Sequence, residues 1–425
     1  MMRSHGALRL DTALLAAALA AVPACTCDTV PANALVDCQA TQILPDAVTT
    51  DILFVIDDSG SMSEEQANLA ANLGAFIDTL VASPVRNDFR IGVTNSSVEN
   101  FTVTATTGRS YTAGPAAGVP YPAGALVAIK TDGNGNAIPG ALDYDLPLHP
   151  QTAGWGGNRI LTKGSPTLAA DFKANVRVGL RGAGREQPFR AARLALSDRL
   201  LDANAGFLRD GARLAIVFLT DEDDCSGAAD PLVGSNAQCH DRAVKNRSPP
   251  ILETVEEFAA FLLGPVGGEL REVAIGAIAG FNPNGLAPSC GDAAICQDTA
   301  CSTALEGADR FASLATALGP TRMRLGSICE GGFRNTLTRF GESLMPSSLP
   351  LVGVPADWRM LLVTVTKARG VVVPCSVAAE GTPGQSTADA IYAGPRLGRP
   401  AQITFQNACK LDLGDKIDVR VVCAG

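Results

Sequence analysis

The stretch Asp51-Ile-Leu-Phe-Val-Ile-Asp-Asp-Ser-Gly-Ser61 decides the fold of this chain. Its first half is a continuous apolar run, which is typical of a strand covered on both faces, as in a parallel sheet. Its second half places one carboxylate and two hydroxyls at alternate positions, on Asp57, Ser59 and Ser61. Because sites in open α/β sheets form outside the carboxyl ends of strands, the segment predicts a central strand with a polar site at its end.

Beyond Ser61 the sequence alternates between helical and buried-strand patterns. Ser63-Glu-Glu-Gln66 predicts a capping box that opens a helix, and five apolar residues then recur on one helical face: Leu69, Leu73, Phe76, Ile77 and Leu80. Further strands are predicted at 89–94, 214–219, 272–279 and 323–328, and further helices near 167–176, 187–201, 252–263, 305–315 and 333–344. This order predicts an α/β fold, a doubly wound, mostly parallel, Rossmann-like sheet flanked by helices.

The chain of 425 residues is long enough for more than one domain. After Pro346 the helical period disappears, and strand-like runs at 360–366, 370–373, 402–405 and 417–422 predict a small β-rich C-terminal appendage. The predicted organisation is a signal peptide at 1–24, a linker at 25–47, a main domain at 48–345 and the β-rich segment at 346–425. A Gly-, Pro- and Thr-rich insertion with an edge hairpin is expected within the main domain, at about 97–165.

The N-terminal segment predicts export. Arg3 and Arg9 precede the apolar run Thr12–Val22, which is too short to span a bilayer and fits a secretory signal. Val22-Pro23-Ala24-Cys25 also resembles a bacterial lipobox, which would make Cys25 a lipidation site; simple cleavage after Ala24 is the alternative. A lipid anchor is the only membrane contact expected, at the periplasmic face or the cell surface.

Composition excludes several functions. The net charge of −9 argues against a nucleic-acid partner, because counterion release needs a basic face. Only three histidines are present, which argues against multi-His metal sites and most His-based acid–base enzymes. None of the 12 cysteines precedes Cys25, so we expect them to be mostly disulfides in an oxidising compartment. The spacing Cys290-x5-Cys296-x4-Cys301 is too loose to favour a zinc site.

The polar residues after the first strand suit a divalent cation. Asp57, Ser59 and Ser61 offer oxygen ligands of low total charge, which Mg²⁺ prefers. A second carboxylate, in Thr220-Asp221, ends another predicted buried strand. Strands of a parallel sheet end at the same edge, so both groups are expected at one site.

These residues resemble those of a von Willebrand factor type A (VWA) domain with a metal-ion-dependent adhesion site. Asp57, Ser59 and Ser61 match its Asp-x-Ser-x-Ser motif, and Asp221 matches its Thr-Asp after a later strand. The resemblance covers roughly residues 48–345. It implies direct metal contact from the two serines, largely water-mediated contact from the two aspartates, and one metal position left for a partner's carboxylate.

One position departs from the family pattern. The family supplies a threonine in a Gly-rich loop before a helix, whereas Glu186 stands there in this chain. We expect Glu186 either to bind the metal or to act as a helix-start carboxylate favoured by the helix dipole. As a ligand it would tighten metal binding and could favour Ca²⁺ over Mg²⁺; Mn²⁺ is a further alternative.

Two other acidic stretches are candidates for cation binding. Asp221-Glu-Asp-Asp224 is expected to be a solvated loop, with recruitment of a second cation as the alternative. Asp132-Gly-Asn-Gly-Asn136 resembles the start of a Ca²⁺ loop, but it lacks the glycine at the sixth position and the glutamate at the twelfth. It is read as a turn.

These observations favour a non-enzymatic, metal-dependent module at the cell envelope that binds a protein ligand through an exposed acidic residue. The first alternative is a structural envelope protein whose metal only braces loops. The second is a metal-assisted hydrolase that uses Asp57, Asp221 and Glu186, with Asp223 or Asp224 as the base.

Overall fold

The computed structural model describes residues 48–85, 87–98, 100–104, 108–112, 123–127, 158–180, 185–227, 250, 252–284, 286, 288, 303–344, 348–351, 354–355, 357–396, 400–412 and 414–421. Several predictions fall outside these ranges: the signal peptide, the linker and Cys25, the turn at 132–136, and the cysteines at 290, 296 and 301. Within the described ranges, no helix is both long and apolar enough to cross a membrane.

A six-stranded sheet forms the centre of the main domain. Its strands are β1 (Val48–Ile56), β2 (Asn87–Asn95), β5 (Leu161–Thr162), β6 (Arg213–Leu219), β9 (Val273–Ala279) and β10 (Met323–Ser327). Their order in the sheet is β10-β9-β6-β1-β2-β5, and all neighbouring strands are parallel except the edge pair of β2 and β5. Two hairpins lie outside this sheet: β3 (Asn100–Thr104) with β4 (Gly108–Thr112), and β7 (Pro265–Val266) with β8 (Glu269–Leu270). The predicted α/β fold with a mostly parallel sheet is confirmed.

Helices cover both faces of this sheet. One face carries α1 (Ser63–Val81), α2 (Leu168–Asn175) and α6 (Arg334–Ser343), and the other carries α3 (Pro188–Ala195), α4 (Val255–Leu263) and α5 (Asp309–Leu318). Successive side chains of β1 enter opposite cores: Phe54 packs with the first helix set and Val55 with the second. The unbroken apolar run of β1 therefore reflects burial on both faces.

Helix α1 begins where predicted but not by the predicted mechanism. Its N-cap residue is Met62, and no side chain caps it. Gln66 instead donates hydrogen bonds to the carbonyl oxygens of Asp57, at 2.8 Å, and Gly179, at 2.7 Å. The capping-box prediction was wrong because this side chain is recruited by two loops that lie far apart in sequence.

The C-terminal segment forms two small sheets around a core that also includes Val85 of the main domain. The strands are β11 (Ser348–Pro350), β12 (Leu361–Thr366), β13 (Val372–Cys375), β14 (Val377–Ala379), β15 (Ala390–Ala393), β16 (Gln402–Phe405) and β17 (Lys416–Val421). One sheet has the order β11-β16-β15-β14 and the other β13-β12-β17. A disulfide joins Cys375 to Cys409, and Cys225 and Cys329 of the main domain are also disulfide-bonded. The predicted β-rich appendage is confirmed as an element of the fold.

Candidate metal centre

The predicted site residues lie at the carboxyl ends of the two central strands. Strands β1 and β6 are adjacent, with Ile56 opposite Leu219. The chain leaves β1 toward β2 on one side and returns to β6 on the other, so the sheet order reverses at this pair. Ligand crevices of open α/β sheets form at such a reversal.

Asp57 is held from three directions. Its backbone amide donates to Leu219 O at 2.9 Å and continues the strand pairing by one residue. One carboxylate oxygen accepts from the Ser59 amide at 2.8 Å, and the other accepts from the Thr220 hydroxyl at 2.7 Å. The carboxylate is thus buried and oriented by backbone and hydroxyl groups, as in the outer shell of a metal site.

The two serine hydroxyls face each other beside a buried acid. Ser59 Oγ and Ser61 Oγ are 3.0 Å apart. Ser59 is buried, whereas Ser61 is exposed, so this side of the site faces solvent. The Ser61 hydroxyl lies beside the Asp221 carboxylate and partly offsets the rise in its pKa. The structure therefore brings together Asp57, Ser59, Ser61 and Asp221, as predicted from their positions at the strand ends.

Asp221 is fully buried and its carboxylate is unsatisfied. In the described part of the chain neither carboxylate oxygen accepts a hydrogen bond. Only its backbone carbonyl is engaged, accepting from the amides of Leu305 and Glu306. A buried carboxylate without a hydrogen bond carries the full cost of its lost hydration, unless a cation or a proton compensates it.

Glu186 lies immediately before α3 and is also fully buried. Neither of its carboxylate oxygens accepts a hydrogen bond among the described residues. Its charged neighbours are Asp57 and Glu222, and its side chain lies within hydrogen-bonding reach of the Glu222 carboxyl. The first-turn amides of α3 are bonded elsewhere, Phe189 N to Asp224 at 3.0 Å and Arg190 N to the Ser226 hydroxyl at 2.8 Å. Metal ligation by Glu186 remains a prediction.

The carboxylates raise one another's pKa values. Burial and then the charge of Glu222 raise the pKa of Asp57 to about 7. Burial, Asp57 and Glu222 raise the pKa of Asp221 to about 9. Burial first, and then Asp57 and Glu222, raise the pKa of Glu186 well above its usual range. For these three carboxylates the largest effects are burial and neighbouring acids, which favour the protonated form.

The acidic run after β6 is not the solvated loop that was predicted. Asp223 and Asp224 are fully buried, and Glu222 is 9% exposed. Asp223 accepts from the Arg310 amide at the start of α5, at 3.1 and 3.2 Å. Asp224 pairs with the Arg310 guanidinium at 3.0 Å. The prediction was wrong because one arginine and two helix N-termini compensate the buried charges.

The residues present fit a hard divalent cation. Each candidate ligand supplies oxygen, and Asp221 and Glu186 present buried oxygens that no protein donor satisfies. Among the described residues, no three His, Cys, Asp or Glu side chains are grouped closely enough to hold a metal by themselves. A cation here would therefore depend on the Ser59 and Ser61 hydroxyls, as the sequence pattern predicts.

Two acidic residues of this site escaped the sequence analysis. Glu65, read as part of a capping box, is buried at 4% exposure, and one of its carboxylate oxygens has no hydrogen bond among the described residues. Glu222, read as part of a solvated loop, influences Asp57, Glu186 and Asp221. A signal existed for Glu65, which stands in the first turn of the helix that directly follows the motif.

Comparison with known proteins gives only partial overlaps. No family model matches the chain, and no curated protein matches it. Among solved structures, it is similar to proximal thread matrix protein 1 (PTMP1) from the mussel byssus, with 12% identity and a TM-score of 0.29 over 78% of this chain and 52% of that one. It is similar to the pilus adhesin SpaC from Lactobacillus rhamnosus GG, with 10% identity and a TM-score of 0.36 over 89% and 40%.

The human COPII-coat protein Sec24c overlaps with 8% identity and a TM-score of 0.29, over 88% of this chain and 39% of that one. The chain thus spans about half or less of the length of these proteins. Overlaps this partial establish neither a family nor a function for this chain. Its fold is assigned from the strand order and registers described above.

Proposed function

We propose that the chain is a metal-dependent protein-binding module whose divalent cation offers a coordination position to an acidic side chain of a protein partner. One observation carries the proposal: the paired hydroxyls of Ser59 and Ser61 lie beside the buried, unsatisfied carboxylate of Asp221. A cation bound there would relieve the cost of the buried charge. Such a cation would meet solvent on the side of Ser61, where a partner's carboxylate could replace a bound water.

Both the sequence pattern and the strand geometry support the proposed ligands. Asp57, Ser59, Ser61 and Asp221 match the motif of the VWA-type adhesion site, and they converge at the reversal point of the sheet. We propose Mg²⁺ as the cation, with Ca²⁺ and Mn²⁺ as alternatives, and Glu186 as an additional ligand. No step of catalysis is proposed, since Asp223 and Asp224, the candidate bases of a hydrolase, are both buried against the start of α5.

We further propose that the module works at the cell envelope after export, anchored by lipid at Cys25. The disulfide between Cys375 and Cys409 is consistent with an oxidising compartment. The predicted signal at 1–24 supports the same location.

The open coordination position can be measured with Tb³⁺, a luminescent substitute for Ca²⁺ and Mg²⁺ at oxygen sites. The full chain is stripped with EDTA and loaded with Tb³⁺, and luminescence lifetimes in H₂O and D₂O count the waters on the ion. We expect a short peptide with one central aspartate to displace water. The same peptide with asparagine should displace none.

A Ser59→Ala, Ser61→Ala variant provides the matched control and should bind Tb³⁺ at least about tenfold more weakly, equivalent to about 1.4 kcal/mol. If the wild-type chain does not bind Tb³⁺, the metal site is wrong. If Tb³⁺ binds but the aspartate peptide displaces no water, the binding function is wrong, and the loop-bracing alternative explains the site.

A further inference from the structure

We infer that the free edge of the central sheet, along β10, is a second binding surface that takes up an extended protein segment of alternating apolar and acidic residues. The segment adds to the sheet as a further strand. Strand β9 separates β10 from β6, which is one of the two strands that carry the metal centre. Binding at this edge therefore does not depend on the proposed function, and it is tested without metal.

One edge of β10 has no neighbouring strand, because β10 is the last strand of the six-stranded sheet. Arg322 O accepts from the Ile275 amide at 2.7 Å. The Ile328 amide donates to Ala279 O at 2.9 Å. Backbone groups alternate in direction along a strand, so the even-numbered residues bond to β9 and the odd-numbered residues face outward. Neither the amide nor the carbonyl of Leu325, at the centre of this outward row, has a hydrogen bond among the described residues.

This edge is long and lies in a recess. Strand β10 has five residues, whereas the strand at the opposite end of the sheet, β5, has only two. Helices α5 and α6, together with residues 410–412, enclose beside β10 a groove of about 860 Å³. Natural sheets usually keep edge strands short or covered, because their unpaired backbone groups pair with other chains. A five-residue edge beside a groove therefore favours addition of a strand from a partner.

The wall that α5 forms is apolar. Ala312 and Ala315 of this helix line the groove together with Leu325 of β10, and all three pack against the core on that face of the sheet. Because alanine is small, an apolar side chain of an added strand has room beside these residues. Side chains of a strand alternate between its two faces, so every second residue of the added strand meets this wall.

The opposite wall is basic. A side chain at Gly326 would meet Thr336 of α6, so the even-numbered residues of β10 face this helix. Arg324 therefore lies on the same face of the sheet as Arg339, and both are exposed and line the groove. Arg339 also lies 3.6 Å from Glu330, whereas Arg324 has no ion pair within the described ranges. The intervening residues of an added strand meet this wall, where acidic side chains pair best with guanidinium groups.

The charge of the groove favours an acidic partner over a second copy of the chain. Its basic residues are Arg324, Arg339 and Lys410. Its acidic residues are Glu342 and Asp412, and Asp412 is already paired with Lys367 at 3.0 Å. The groove is thus more positive than the chain as a whole, whose net charge is −9. Two copies joined at β10 would place the same basic side chains beside one another, and like charges on neighbouring strands are destabilising.

The test uses a fluorescein-labelled synthetic peptide of about eight residues in which valine and glutamate alternate. Its fluorescence anisotropy is measured with the full chain in EDTA, and we expect saturable binding. A peptide with lysine in place of glutamate should not bind. The valine–glutamate peptide with N-methylated amides should bind at least about tenfold more weakly, because it cannot complete the hydrogen bonds to β10.

Two pairs of variants test the site on the protein. Leu325→Pro removes the outward amide but leaves the pairing with β9 intact, and it should weaken binding at least about tenfold. Leu325→Val keeps the amide and should bind as the wild type does. Ala315→Glu places a charge in the apolar wall and should weaken binding to the same extent. Its control is Ala317→Glu, on the exposed side of α5, which should bind normally.

Several results would overturn strand addition at β10. These are no binding of the valine–glutamate peptide, equal binding of the lysine peptide, and equal binding by Leu325→Pro and the wild type. A dimer in analytical ultracentrifugation that Ala315→Glu dissociates would identify a second copy as the occupant and would also overturn it. If circular dichroism shows that Leu325→Pro does not fold, the variants at Ala315 and Ala317 decide. Because EDTA is present throughout, none of these results tests the proposed metal-dependent function.

Discussion

The Thr220 hydroxyl donates a 2.7 Å hydrogen bond to Asp57 Oδ2 and so joins the ends of the two central strands, β1 and β6. It also accepts from the Glu222 amide at 3.1 Å. One buried hydroxyl thus aligns an acid from the first motif with the loop that carries Asp221. In the proposed metal site this hydroxyl orients Asp57, and loss of such an orienting group typically weakens metal binding about 10- to 100-fold.

Replacing Thr220 with valine should therefore weaken metal binding. Valine keeps the shape of the side chain but removes the hydrogen bond to Asp57, and we expect the affinity for Mn²⁺ to fall about 10- to 100-fold. Isothermal titration calorimetry on the full chain measures this. Thr220→Ser, which keeps the hydroxyl, should stay near the wild-type value. Equal affinities for the valine and serine variants would contradict the role of the hydroxyl.

Asp221→Asn should change stability in opposite directions with and without metal. In EDTA at neutral pH we expect the variant to be more stable than the wild type, because burial raises the pKa of Asp221 to about 9 and the wild type must take up a proton on folding, which asparagine avoids. With metal in hundredfold excess over its dissociation constant, the free energy of unfolding of the wild type should rise by about 2.7 kcal/mol. The free energy of unfolding of the variant should rise far less. Thermal unfolding under both conditions gives the comparison. A variant less stable than wild type in EDTA would contradict the electrostatic account.

Arg310 should be essential for the loop after β6. It is the cation that compensates Asp224, and its side chain also donates to the Glu253 carbonyl. Arg310→Met leaves a buried charge unpaired and should cost about 3–5 kcal/mol of unfolding free energy. The exposed Arg369→Met is the control and should change little. In urea unfolding, Asp224→Asn added to Arg310→Met should restore part of the loss, and a purely additive double variant would contradict the pairing.

Helix starts offer a matched set of substitutions. Gln66→Leu leaves the buried carbonyls of Asp57 and Gly179 without their donor and should cost about 1–3 kcal/mol for each. Ser63→Ala should stay within about 0.5 kcal/mol, because Ser63 caps nothing. Thr254→Ala removes a real capping box at α4 and should cost about 1 kcal/mol. Urea unfolding measures the free energy of unfolding of all three variants. A large loss of stability for Ser63→Ala would support the capping box predicted at the start of α1.

Asp415 and Lys367 should give the C-terminal segment a pH-dependent stability. Burial alone would raise the pKa of Asp415, but hydrogen bonds from Lys367 and from the amides of Asp412 and Ala368 lower it. Burial alone would lower the pKa of Lys367, but hydrogen bonds to Asp415 and Asp412 raise it. The interaction between Asp415 and Lys367 therefore stabilises the folded segment fully between the pKa values of the two groups in the unfolded chain, 3.8 and 10.5.

The stabilisation should fall as the pH drops through the lowered pKa of Asp415, or rises through the raised pKa of Lys367. The loss at low pH can be checked by measuring the free energy of unfolding of the wild type and of Asp415→Asn between pH 2 and pH 7. The difference between the two free energies should become smaller as the pH falls. A difference that stays constant over this range would mean that the hydrogen bonds do not depend on the Asp415 charge.

The central strand and the residues at its end could be predicted because their signals are local. A strand segment buried on both faces is typically apolar at successive positions, and Ile52–Ile56 of β1 is. The alternation of Asp57, Ser59 and Ser61 follows the strand directly, so knowing where the strand ends places the site. The order of strands and helices then leaves few topologies, and the doubly wound sheet is among them.

Whether each acidic side chain is buried or exposed depended on partners that are distant in sequence. Asp224 is buried because Arg310, 86 residues further along, reaches it, and Gln66 bonds to Gly179 across 113 residues. Burying a charge without a partner is costly, so the sequence of a run such as Asp221–Asp224 predicts exposure to solvent. Only the folded structure shows the partner that allows burial. The sequence alone therefore determined which strands are buried and where the oxygen-rich motif begins. Tertiary structure decided which carboxylates are neutralised by protein groups, like Asp224, and which, like Glu186 and Asp221, no described donor satisfies.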